Sequence, residues 1–150
     1  MKKYYLYHLT FILFSSLALS GCQTNSRDQV LQTTKSQVEL RSFQARAFDT
    51  SDKAATLRTI ISTLQDLGFV INKADAMLGS VSATKFGKSA EFEQAYQLKM
   101  TVSVRERRKG RLIVRANAQY NLLAVEDPKP YQQFFSALSK SLFLAANKVD

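Results

Sequence analysis

Leu98-Lys99-Met100-Thr101-Val102-Ser103-Val104-Arg105, followed past Gly110 by Leu112-Ile113-Val114-Arg115-Ala116-Asn117-Ala118-Gln119-Tyr120, is the stretch that decides the fold. In both runs apolar residues alternate with polar ones, the period of a strand with one dry and one wet face. Gly110 lies between them, so a hairpin is the natural link. Sheets that are wet on one side are usually antiparallel, and their apolar side needs a cover.

Residues on both sides of this hairpin supply the cover. Upstream, Leu57, Ile60, Ile61, Leu64 and Leu67 recur at helical spacing. Asp49-Thr50-Ser51-Asp52 offers N-cap side chains before them, and Gly68 stands where a C′ glycine belongs. Residues 69–74 read as a strand leaving this helix at once, 75–77 as a turn, and 78–86 as the antiparallel return. Residues 87–95 are polar and read as a loop. Downstream, Asp127-Pro128-Lys129-Pro130 stops the sheet and favours a first helical turn. Tyr131, Phe134, Phe135, Leu138, Leu142 and Ala145 then mark one face of a second helix, with Phe143 beside that stripe. Residues 38–48 read as a first strand, with Phe43, Ala45 and Ala47 on one face, Val38 and Leu40 on the other, and a bulge near Ser42. The expected order is β-α-β-β-β-β-α. It implies an α+β two-layer sandwich, a mainly antiparallel sheet of four to five strands with two helices on one face. There is no internal repeat, and residues 38–150 read as a single domain.

The N-terminal region has another character. Lys2 and Lys3 precede an apolar run over residues 9–19, then Ser20, Gly21 and Cys22. A charged start, a short apolar core and small residues before a cut site make a secretory signal. The apolar run is about half the ~20 residues that span a bilayer. Leu19-Ser20-Gly21-Cys22 resembles the lipobox of bacterial lipoproteins. The resemblance implies cleavage after residue 21, a diacylglyceryl thioether on Cys22 and acylation of the new amino group, enough chains for stable anchoring. Gln23 follows Cys22 where an Asp would favour retention in the inner membrane, so the resemblance implies an outer membrane, facing the periplasm. Residues 22–37 are polar and aperiodic, a tether of roughly 20 Å on random-coil scaling. The mature domain matches no named family motif; it is similar only in signal, size and element order to small envelope lipoproteins.

Removing residues 1–21 leaves 129 of 150 residues, and the loss of Lys2 and Lys3 takes the net charge from +9 to +7. A positive envelope protein favours anionic partners. The only His, His8, falls in the signal, the only Cys is the lipobox residue, and Trp is absent. The mature domain therefore lacks the two commonest zinc ligands and the usual base and thiol nucleophile. An intrachain disulfide is excluded. No catalytic residue, metal site or cofactor is expected, and Glu91 and Glu93 in the polar loop have no nucleophile near them in sequence.

The densest charge is Arg105-Glu106-Arg107-Arg108-Lys109-Gly110-Arg111, five positives and one negative in seven residues. At a hairpin tip it reads first as a solvated turn. Its functional reading, with Arg105, Arg107, Arg108, Lys109 and Arg111 as contacts, is a site for phosphate or carboxylate groups or for a partner. Phe143 is the aromatic expected to touch a partner. Two functions are expected: an accessory module docking onto an envelope complex (secretion, efflux or outer-membrane assembly), or a binder of an anionic envelope component such as lipid or lipopolysaccharide. Nucleic acid is not an expected partner, because export removes the chain from it. A large cavity between sheet and helices favours the binder. A filled core with an exposed patch favours the module.

Overall fold

The alternating runs form the two longest strands of a computed structural model that describes residues 35–88 and 95–147. The described elements are α1 (Gln37–Gln44), β1 (Ala45–Phe48), α2 (Lys53–Asp66), β2 (Val70–Asp75), β3 (Ser80–Lys88), β4 (Ala95–Arg108), β5 (Arg111–Tyr120), β6 (Leu123–Ala124) and α3 (Lys129–Ala146). The strands make one antiparallel sheet in the order β1-β5-β4-β3-β2, with the two-residue β6 on the same edge of β5 as β1. The protein is thus the expected α+β fold, with six strands and three helices among the described residues where four to five and two were expected. All described residues fall within one compact unit, Thr33–Asp150.

Pairing carries the alternation through the sheet. Val81 faces Val102 and Ala83 faces Met100, while Val102 faces Ala116 and Val104 faces Val114. These side chains all lie on the helix side, at 0–1 % exposure. Leu57, Ile60 and Leu64 of α2, and Tyr131, Phe134, Phe135 and Leu138 of α3, close over them in one continuous core. At roughly 25 cal/mol per Å² of apolar surface removed from water, this burial is the main stabilising term. Ile61 lies on the flank of the α2 stripe and is only half-buried; Leu142 is half-buried and Ala145 exposed, so the α3 stripe fades in its last two turns.

The capping residues behave as their chemistry requires. Asp52 Oδ1 accepts from Ala55 N at 2.7 Å. At the other end of α2, Gly68 takes φ +82°, with Gly68 N donating to Gln65 O (2.8 Å) and Phe69 N to Leu64 O (2.9 Å). That is the Schellman pair of bonds, and Phe69 and Leu64 share the core, as the motif's apolar contact requires. Asp127 Oδ1 accepts from Lys129 N at 2.9 Å where α3 begins.

One expected element was wrong. Residues 38–48 do not form a strand with a bulge at Ser42; they begin as α1 and become strand only at Ala45. Ser36 and Glu39 have the Ser-x-x-Glu spacing that favours a helix start, and Ser36 Oγ accepts from Glu39 N at 3.2 Å. Ser42 sits inside the helix, its hydroxyl donating to Glu39 O at 2.6 Å. Helical spacing also puts Leu40 and Phe43 on one side: Leu40 is buried and Phe43 packs on Tyr131 with centroids 5.3 Å apart. The helix therefore starts at a residue expected in the tether. The bulges lie elsewhere, between Ile71 and Lys73 and between Glu106 and Arg108. Of the loop expected over residues 87–95, Gly87 and Lys88 belong to β3 and Ala95 to β4, and residues 89–94, with Glu91 and Glu93, lie outside the described residues.

Between β1 and β6 the edge of β5 is closed by a side chain. Tyr131 Oη accepts from Ala118 N (3.1 Å) and Gln44 Nε2 (3.3 Å) and donates to Val125 O (2.8 Å). Burial pushes this phenol above its usual 10.0, while the bonds from Gln44 and Ala118 pull the other way. One hydroxyl so joins α1, β5, α3 and the segment after β6.

Candidate functional site: an open-face arginine hollow and a helix groove

The basic run forms the end of the β4–β5 hairpin. Gly110 takes φ +77°, a conformation that L side chains adopt only with strain. Arg107 is the extra residue of the bulge, since Glu106 pairs with Leu112 but Arg108 with Arg111. The five expected contacts are not equivalent. Arg111 is taken: its Nε and Nη2 both lie 2.6 Å from Oδ1 of Asp49, just past β1. The hydrogen bond from Arg111, then its charge, with a lesser effect of Arg108, holds the Asp49 carboxyl below its usual 3.8; the same partnership raises Arg111. Arg111 therefore joins the tip to the end of β1, Arg108 pairs across from it as the last residue of β4, and Lys109 with Gly110 forms the turn.

Arg105 and Arg107 instead border a shallow hollow of about 540 Å³ on the open face of the sheet, with Ser103, Glu106, Ile113 and Arg115. Ser103 pairs with Arg115 and Arg105 with Ile113, so two arginines occupy one diagonal and a hydroxyl and an apolar side chain the other. Next to them on β1, Ala45 pairs with Arg115 and Ala47 with Ile113, and their small side chains leave the arginines room. Arg115 was missed in the sequence because it stands outside the dense run; the register shift at the Arg107 bulge brings it opposite Ser103 on the open face. Among the described residues, the ion pairs are Arg111–Asp49 and Lys35–Glu39, so Arg105, Arg107 and Arg115 have no carboxylate within 4.0 Å.

A second feature lies on the helix side. A groove of about 540 Å³ opens between the first half of α2 (Ala55, Thr56, Thr59) and the last half of α3 (Ser139, Leu142, Phe143, Ala145, Ala146), floored by residues 46–50. Arg46 anchors the floor: its Nη1 donates to Phe135 O and to Ser139 Oγ, both at 3.2 Å, and its guanidinium lies 5.2 Å from the Phe135 ring centroid. Phe143 stands on the wall at 67 % exposure, as expected for a side chain outside the core stripe. Tyr96 and Tyr120 stack at 5.2 Å at the other end of the sheet, and Gly87 lies under the Tyr96 ring, where a Cβ would collide with it.

Among the described residues no group of three or more His, Cys, Asp or Glu side chains is placed to hold a metal ion, and no helix is long and apolar enough to cross a membrane. Cys22 lies outside the described residues. No family model matches the chain, and no curated protein matches it. Among solved structures it is similar to a DUF4468 family protein from Bacteroides ovatus ATCC 8483, with 12 % identity, 53 % of this chain and 56 % of that one covered, and a TM-score of 0.30. The match spans just over half of that protein, and a likeness at this level carries no argument about function.

Proposed function

We propose that this chain is a non-catalytic lipoprotein, anchored through a lipid on Cys22 to the periplasmic side of an outer membrane, whose domain docks onto a protein of an envelope complex. The Leu19-Ser20-Gly21-Cys22 sequence supports the anchor, and a mature chain without His or a free thiol supports the non-catalytic role. The α2–α3 groove is the observation that carries the docking. Its lining combines apolar side chains (Phe48, Leu142, Phe143) with polar ones (Thr50, Thr59, Ser139), the mixture found in protein interfaces. Phe143 is a large aromatic held out of the core on an 18-residue helix, the kind of rigid anchor on which binding energy concentrates. The occupant is an apolar segment of a partner protein. Carriage of a lipid inside the domain is disfavoured, because Tyr131, Phe134, Phe135, Ile60 and Leu64 fill the space between helices and sheet at 0–1 % exposure.

Photocrosslinking in the intact envelope tests this reading. A photoreactive residue at position 143 should give a discrete adduct with one protein, and the same residue at exposed position 132 on α3 should not. Equal adducts from both positions, or none from 143, would count against docking through the groove.

A further inference from the structure

We infer that the open face of the sheet carries an oxyanion site, formed by Arg105, Arg107 and Arg115 with the hydroxyl of Ser103, that takes a phosphate group. It is separate from the groove and does not depend on the docking reading.

Arg105 and Arg115 are diagonal neighbours across β4 and β5, and diagonal neighbours on one sheet face stand about 7–8 Å apart. Two like charges carried on such neighbouring positions, with Arg107 added at the bulge, repel one another, and among the described residues none has a carboxylate within 4.0 Å. Arg111, three residues past the bulge's end at Arg108, does have one. The same hairpin therefore neutralises the arginine that ties it to β1 and leaves three guanidiniums around a hollow of about 540 Å³. A guanidinium fork matches two oxygens of a phosphate at once, and a hydroxyl supplies a further donor. A tetrahedral dianion can satisfy donors arriving from several directions, which a planar carboxylate does less well. Glu106, the acid on the same rim, sets a like charge beside the anion and weakens its binding. The phosphate belongs either to a lipid headgroup or to a small solute.

The test uses the full chain with Cys22→Ser, so that no thioether lipid enters the readout. Inorganic phosphate is titrated while the arginine side-chain NMR signals are followed, and co-sedimentation compares phosphatidic acid vesicles with phosphatidylcholine vesicles. Two double variants remove the same charge from the same face: Arg105→Gln/Arg115→Gln at the hollow, and Lys73→Gln/Lys99→Gln on β2 and β4 away from it. The hollow pair should weaken binding about tenfold or more, the lysine pair less than about threefold, and Glu106→Gln should strengthen it. Arg107→Gln, a single change on the exposed bulge, is the second variant if the double one is destabilised; it should weaken binding about threefold. A response to inorganic phosphate assigns the site to a free phosphate group, and a response to phosphatidic acid alone assigns it to a headgroup. Equal weakening by the two double variants, or no response of these arginines to either probe, overturns the site.

Discussion

Replacing Tyr131 with Phe removes one oxygen and leaves the ring in place, so its cost isolates the hydroxyl. Three hydrogen bonds end with it: from Ala118 N, from Gln44 Nε2 and to Val125 O. They are not of equal weight. Gln44 and Val125 are half-buried and can turn to water, whereas Ala118 is 4 % exposed and its N–H is left without an acceptor. An orphaned buried donor costs about 1–3 kcal/mol, and the two re-solvated bonds add a fraction more. The expected loss in urea denaturation is about 2–3 kcal/mol, or roughly 10 °C in Tm for a domain of this size. Hydrogen exchange should locate the damage, with the Ala118 amide exchanging faster and the amides of β3 unchanged. A pH signature accompanies it. The folded-state phenol is raised above 10.0, so its contribution to stability is present below that value and lost as pH climbs through the folded one; Tyr131→Phe should lack this alkaline loss. A cost below about 0.5 kcal/mol, or an unchanged Ala118 amide, would refute the view that this hydroxyl closes the β5 edge.

Thr63 is buried at 1 % exposure and its hydroxyl has no hydrogen-bond partner among the described residues; Thr63→Val keeps the shape and should stabilise the domain by about 1 kcal/mol in chemical denaturation, and a loss would show that the hydroxyl is satisfied after all. Leu138, at 0 % exposure in the centre of the α3 stripe, should lose about 2–5 kcal/mol on truncation to Ala, with a loss under about 0.5 placing the stripe on the wrong face. Asp49 should titrate below 3.8 by carboxyl NMR, and Arg111→Gln should return it to that value. Because the folded value is lowered, the contribution of this pair is present above 3.8 and lost as pH falls through the folded value; an Asp49 titration indifferent to Arg111→Gln would remove the pair from the account.

Much of this fold is legible in the sequence because burial imposes a period. Residues 98–105 and 112–120 alternate because one face is dry, and Leu57, Ile60 and Leu64 recur because α2 lies on that face. The first strand was misread for a physical reason. Over eight residues, Val38, Leu40 and Phe43 fit two periods equally poorly, and Val38, which strengthened the strand reading, is 79 % exposed. The deciding signal was polar: Ser36 and Glu39 at helix-start spacing. The site divides in a similar way. The charge density of residues 105–111 is local and was visible, but the loss of Arg111 to Asp49 and the addition of Arg115 come from partners 62 residues away and from strand register. The bulge at Arg107 sets that register, and nothing in the alternation announces it.

Under the proposed function, a lipid on Cys22 displays this domain from a membrane. Metabolic labelling with a fatty-acid probe in a bacterial host, comparing the wild-type chain with Cys22→Ser, tests it most directly. Label is expected on the wild-type protein and none on the variant, because a serine oxygen cannot carry the thioether lipid. Equal label on both, or label on neither, would contradict it.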